Sequence, residues 1–504
     1  VLPVPELTAE SDRPDRPTVP VLAGFHPDPS VVRVGDLYHL ACSSFEYAPG
    51  VPLFRSTDLV TWELVGHALD RPSQLRAGAA GPSGGVYAPT LRHHDGLFWL
   101  VTTNVNDGPG HLLVSAPDLA GPWSDPVRID AGGIDPDLAW DEDGTCWLTW
   151  SDGGIVQAAL DPRTGALLSD PRTVWQGTGG QHPEGPHLYR VGPWWYLLIA
   201  EGGTGHGHAV TVARGTSPSG PFEPCPDNPL LTARGTSAVV QNTGHADLVE
   251  GPDGTWAAVF LGVRPEGYFP GWHVLGRETF AAEVSWQDGW PRVGRALQPP
   301  ATPPLEAVLG DALPPDWVAA SAFPAEVLRR ADGAWRLVPR GDERSFVGRR
   351  QEHRVTSVRA QVDASAGVGG PELRIDPDHA VTLEADGDLV RAVVRVGGLV
   401  SVAGEAAAGP GTTLELRTEP SAARSTATGA ARTRSWRSCT ARTDPSSSRA
   451  STGATCRPRS RAGSPAGWSA SRACAASSSS RASPTPARAD PRDGSPPAPR
   501  GCEG

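Results

Sequence analysis

An all-β chain, a five-bladed β-propeller followed by an incomplete C-terminal β-sandwich, is the fold class this sequence predicts, on three observations. One strand–turn–strand unit recurs five times between His26 and Gly262. Its spacing of roughly 45 to 65 residues is that of propeller blades. No stretch of the 504 residues keeps a helical period, whereas Gly (59) and Pro (52) punctuate runs of strand formers throughout. In a propeller the innermost strand of every blade runs along one channel, so equivalent positions of distant repeats converge at one mouth.

The units follow in order. Asp28 opens the first, FHPDPSVVRVGDLYHLACSS, and Ala88 the second, YAPTLRHHDGLFWLVTTN. Asp135 opens GIDPDLAWDEDGTCWLTWS, Glu184 opens HPEGPHLYRVGPWWYLLIAE, and Asp247 opens GHADLVEGPDGTWAAVFLG, just behind His245. Each reads as a short strand, a tight turn rich in Gly and Asp, and a second strand heavy in Val, Leu, Trp and Tyr. The propeller is assigned to residues 19–300, and the proline cluster that ends WQDGWPRVGRALQPPATPP marks a linker over 301–314. Beyond it SFVGRRQEHRVTSVRAQVDAS, HAVTLEADGDLVRAVVRVGGLVSV and TTLELRTEP alternate apolar and polar residues across DGD-type turns. This is the pattern of a β-sandwich over 315–420.

The pattern stops at about Pro420. Residues 421–504 contain no Val, Leu, Ile, Phe or Tyr and carry 14 Arg against 4 acids. Such a segment cannot build a core. A basic low-complexity arm would ordinarily point to nucleic acid or a membrane surface. All 44 basic residues of the chain are Arg, however, and Met is absent, a bias expected of GC-rich coding DNA. The preferred reading of 421–504 is therefore a frameshift product, with no nucleic-acid or membrane partner expected. An unbroken open frame on resequencing the codons for Thr418 to Arg424 would overturn it.

No run of 18 apolar residues exists to span a membrane. The N-terminus VLPVPELTAESDRPDRPTVP has neither the basic start nor the apolar segment of a secretory signal, so a cytoplasmic location is expected unless a leader was removed. Cys42, Cys146 and Cys225, the cysteines before the basic segment, form neither a metal spacing nor a disulfide framework. They are expected to be buried thiols.

Asp28 and Asp135 each precede a proline, and Glu184 stands between Pro183 and Gly185-Pro186. Alone, each is a turn acid. Together, at the openings of one repeat, they are candidates for a shared site. Two carboxylates flanking a glycosidic bond can act as general acid and general base, and a third raises the acid's pKa. Phe45, Tyr87, Trp194, Trp195 and Trp272 offer flat faces on which sugar rings could pack, although strand core is the expected place for any single one of them. The Arg277 fork could hold a hydroxyl or carboxylate, and His245 could be a ligand, a channel hydrogen-bonder or a core residue.

At GFHPDPSVVRVGDLYHLACSSFEYAPGVPLFRSTDLVTWELVGHAL, SGGVYAPTLRHHDGLFWLVTTNV, GIDPDL, PEGPHLYRVGPWWYLLIAEGGT, GHADLVEGPDGTW and LGRETF the chain resembles glycoside hydrolase family 43. The resemblance is to its two-domain β-xylosidase and α-L-arabinofuranosidase branch, and it covers residues 19 to 420. It implies hydrolysis with inversion, removing xylose, and arabinose in some members, from the non-reducing ends of short xylo-oligosaccharides. Asp28 would be the general base, Glu184 the general acid and Asp135 the residue that tunes it. Phe45, Tyr87 and Arg277 would contact substrate. His245 matches a channel histidine near a calcium ion or water network in relatives, so one structural calcium is compatible with the resemblance and no cofactor is required. A homo-oligomer is also compatible with it. Inversion implies carboxyls of Asp28 and Glu184 roughly 6.5–9.5 Å apart. The alternatives are an arabinofuranosidase or arabinan-degrading enzyme and, outside catalysis, a carbohydrate-binding propeller.

Overall fold

The computed structural model describes residues 16–267, 271–341, 344–409, 411–419 and 439–441. All of these fall in one compact unit, Val1–Ser460. The expectation for 421–504 therefore lies almost wholly outside the described residues.

Five antiparallel sheets follow one another along the chain, each entered by its innermost strand: Ser30–Val34, Thr90–His94, Ile134–Trp140, Glu184–Val191 and Gln241–Glu250. The Asp95–Gly96 turn shows why the repeat carries its DG dipeptide. Both residues have positive φ, +55° and +75°, as a two-residue hairpin loop matched to strand twist requires.

Five apolar clusters fill the spaces between neighbouring sheets. Leu53 meets Leu91 and Leu100, Val101 and Leu113 meet Leu138, and Ile155 meets Leu188 and Leu197. Leu198 then meets Phe260 and Phe280, and Val259 returns to Leu40 and Phe54 of the first sheet. Each blade packs on two neighbours, so the ring closes with five. The start of the chain latches it: Val21 and Leu22 donate to the carbonyl of Thr279, and Thr18 to the Gln298 side chain.

The channel is crossed by an ion-pair network that touches every innermost strand. Arg92 donates to Asp137 at 2.7 Å, to Asp247 at 2.9 Å and to His187 Nδ1 at 3.0 Å. Asp247 also accepts from Ser30 Oγ, the Val31 amide and Tyr189. Burial pushes the Asp247 carboxyl up, but Arg92, then His187, outweigh it and hold the group at about 2. With the folded pKa depressed, its contribution to stability is present above about pH 4 and lost as pH falls through about 2. Arg92→Ala strands two buried carboxylates and is expected to cost about 3–5 kcal/mol. Urea unfolding would measure it, and a loss below about 1 kcal/mol would contradict the network's role.

After the propeller, Trp317–Ala320 pairs with Val347–Arg349 on one side and with the two-residue strand Tyr47–Ala48 of the first blade on the other. Two further sheets follow, one of Glu372–Asp376, His379–Asp386, Leu389–Val396 and Leu399–Ala407, the other containing Thr356–Gln361, Thr413–Thr418 and Cys439–Ala441. Leu383 and Val390 from the first pack with Leu414 and Leu416 from the second, which makes a sandwich core. Leu399, Val400 and Val402 stay exposed on the outermost strand. Cys42, Cys146 and Cys225 are buried free thiols, as expected.

Candidate active site

The mouth at which the innermost strands begin gathers Asp28, Asp135, Glu184 and His245. Asp28, Asp135 and His245 have left-handed backbones, with φ of +54°, +54° and +46°. A non-glycine residue seldom adopts this region, and such strain concentrates at functional sites. Gly185, at φ +56°, is the fourth of the set.

This pattern corrects the alignment of the repeats. The equivalent positions are Asp28, Ala88, Asp135, Gly185 and His245. Two residues later stand Ser30, Thr90, Asp137, His187 and Asp247, all but Thr90 members of the Arg92 network. Glu184 is thus one residue ahead of register and Asp247 two behind it. The cause is local: the ladders of blades three, four and five shift register between Ile134 and Asp137, Glu184 and His187, and Gln241 and Asp247. A bulge there frees each opening residue from strict alternation.

Asp28 is buried and fully engaged. Ser43 Oγ donates to it at 2.6 Å, Arg277 Nη1 at 3.2 Å, and His245 Nδ1 lies at 3.4 Å. Burial pushes its carboxyl up, but Arg277, then His245 and the Ser43 hydrogen bond, outweigh it and hold the group below the usual carboxylate range. Asp28 is an anion at neutral pH. Burial holds His245 down at about 4, so it faces Asp28 as a neutral imidazole.

Glu184 and Asp135 behave oppositely. Burial, then the charge of Asp28, raises Glu184 to about 7. Burial, then Glu184 and Asp28, lifts Asp135 well above the usual range. The two titrate as a pair that keeps a proton at neutral pH. They differ in freedom. Asp135 Oδ2 accepts the Gly185 amide at 3.1 Å, whereas partly exposed Glu184 has no side-chain hydrogen bond among the described residues.

Phe45 and Tyr87 form one wall, with ring centroids 5.3 Å apart, and Arg277 stands 5.0 Å over Phe45. Tyr87 lies within the field of all three carboxylates. Sequence reading missed Phe25, whose ring is 5.6 Å from Phe45 and 5.8 Å from Arg277, and Ser43. The aromatic cluster GFH…SSF was the available signal for Phe25, and nothing marked Ser43. Trp195 is core between blades three and four, and Trp194 packs beneath Arg214 at 4.5 Å, so neither joins the carboxylates. Trp272 pairs through its backbone with Glu266, beside residues 268–270, which lie outside the described set.

A cavity of about 400 Å³ occupies the opposite channel mouth, lined by Arg33, Trp140, Arg190 and Trp256 and by none of the three carboxylates.

The surroundings of His245 do not by themselves build a calcium cage. Calcium takes about six to eight oxygens. Asp28 and Asp247 are already engaged by Arg277 and Ser43 and by Arg92, Ser30 and Tyr189, and among the described residues no group of three or more His, Cys, Asp or Glu side chains is placed to hold a metal ion.

The sequence profile of Glycosyl hydrolases family 43 matches residues 17–291, more than half of the chain. The chain belongs to glycoside hydrolase family 43. Curated family members similar to it include a non-reducing end alpha-L-arabinofuranosidase of Bacteroides ovatus, 45% identical over 284 residues, covering 55% of this chain and 53% of that protein. A xylosidase/arabinosidase of Butyrivibrio fibrisolvens is 45% identical over 292 residues, covering 54% and 56%. A solved family 43 structure, a xylan beta-1,4-xylosidase of Bacillus halodurans, superposes with a TM-score of 0.71 at 33% identity, covering 79% of this chain and 86% of that one. The chain spans about half the length of the curated relatives it matches.

Proposed function

We propose that this chain is an exo-acting glycosidase that removes xylose, and arabinose from suitable substrates, from the non-reducing ends of short oligosaccharides by inverting single displacement. The observation that carries the reading is the split of one carboxylate cluster into an anion and a proton-holding pair. Asp28, held as an anion by Arg277 and Ser43, is the base that takes a proton from water. Glu184, partly exposed and with no side-chain hydrogen bond among the described residues, delivers the pair's proton to the leaving oxygen. Asp135, tied to the Gly185 amide, keeps that proton in the pair by repulsion. Phe45, Phe25 and Tyr87 pack on the sugar's apolar faces, and Arg277 orients Asp28.

The relatives' names favour a xyloside and an arabinofuranoside as the substrates to test. Turnover of 4-nitrophenyl β-D-xyloside and α-L-arabinofuranoside is the expected result. Binding of xylose without turnover of either would instead mark a carbohydrate-binding propeller. The rate should follow a bell in pH. Activity is lost as pH rises through about 7 and Glu184 gives up its proton. It is lost again as pH falls through the depressed pKa of Asp28, below 3.8. A flat profile between pH 6 and about 9 would contradict the assignment of the acid.

A further inference from the structure

The loops that form the aromatic wall are held from behind by the region after the propeller. Phe45 precedes Tyr47–Ala48, the short strand that pairs with Trp317–Ala320, and the Ser321 amide donates to the carbonyl of Glu46 at 2.8 Å. Phe25 is held at its backbone. Arg350 Nε donates to the Phe25 carbonyl at 2.8 Å, the one hydrogen bond of that guanidinium among the described residues. Its Nη2 is buried without a partner there. One residue on, the carbonyl of Gln351 would lie 2.7 Å from a Cβ placed on Gly24. On its other side the Phe25 ring covers Gly276, whose Cβ would lie 2.7 Å from it, next to Arg277. Phe25 is therefore clamped between the post-propeller segment and the strand entry that carries Arg277. Three residues further along the same loop is Asp28.

Arg350 is half-buried, with Nη2 enclosed and Nε spent on a backbone carbonyl rather than on an acid among the described residues, a costly arrangement that is hard to explain as packing alone. From this geometry we infer that Arg350 is a positioning residue: through the Phe25 carbonyl it fixes the Phe25–Phe45–Arg277 wall, so the post-propeller region sets how tightly the propeller grips the terminal sugar. The inference rests on the glycosidase reading for its kinetic consequence, but the placement of the loop does not.

The test compares Arg350→Met, which keeps the stem and removes the donors, with Arg350→Lys, Phe25→Ala and Phe25→Ala/Arg350→Met in the full chain. Hydrogen–deuterium exchange of the peptide spanning residues 22–30 reads the loop without any ligand, and kinetics on the xyloside read the wall. Arg350→Met is expected to speed exchange in that peptide and not in peptides of blade three. It should raise KM by roughly tenfold with kcat changed far less. Lysine should restore part of the KM, and the methionine change should add nothing to KM once Phe25 is alanine. Unchanged exchange in 22–30, equal losses in kcat and KM that track the melting temperature, or full additivity with Phe25→Ala would overturn the inference. Faster exchange in a protein whose wild type cleaves neither glycoside would sink the glycosidase reading while supporting the clamp.

Discussion

Asp28→Ala is expected to lower kcat by about 10²- to 10⁴-fold, with KM within a few-fold of wild type, because the group removed acts on water in the transition state. The surroundings of Asp28 make the case. Ser43, Arg277 and His245 all converge on its carboxylate, and its left-handed backbone is held between Pro27 and Pro29. Asp28→Asn keeps the shape and removes the charge, which separates two effects. Since the charge of Asp28 is the main neighbouring influence raising Glu184, the asparagine variant should also move the alkaline limb of its residual activity to lower pH. A variant with wild-type kcat would refute the base assignment, and an unmoved limb would refute the electrostatic coupling.

Glu184→Gln is expected to cause a comparable loss, about 10²- to 10⁴-fold on xylobiose, whose leaving sugar must be protonated. On 4-nitrophenyl β-D-xyloside the loss should be smaller, since nitrophenolate departs without much help. The alkaline limb near pH 7 should vanish with the group that causes it. Equal losses on both substrates, or a persistent limb, would move the acid role to Asp135, the other carboxyl of the pair.

Much of this arrangement was legible in the residues, for identifiable reasons. Turn dipeptides such as Asp95-Gly96 and the regular return of strand formers are local signals, and they placed the five blades. Asp28, Asp135, Phe45, Tyr87 and Arg277 lie in motifs specific enough to carry over, and the fold brings them to one mouth. The register of the openings was not legible. Glu184 and Gly185 are adjacent, and only the backbone shows that the glycine takes the left-handed place of Asp28 and Asp135. The Arg92 network was equally hidden, because His187 and Asp247 become neighbours of Arg92 only when the ring closes. Trp194 and Trp195 lie in packing contacts, the expected place for strand aromatics, although such a residue looks the same in sequence whether it meets sugar or core. The pairing of Tyr47–Ala48 with Trp317–Ala320 spans too few residues to leave a periodic trace.

The stereochemistry of the first product tests the division of labour between Asp28 and Glu184 most directly. Proton NMR during hydrolysis of 4-nitrophenyl β-D-xyloside would follow the anomeric signals before mutarotation mixes them. A water activated by Asp28 on the face opposite the leaving group must release α-xylose first. β-Xylose as the first product would mean that a carboxylate attacks the sugar itself, and would contradict the assignment of Asp28 as a base.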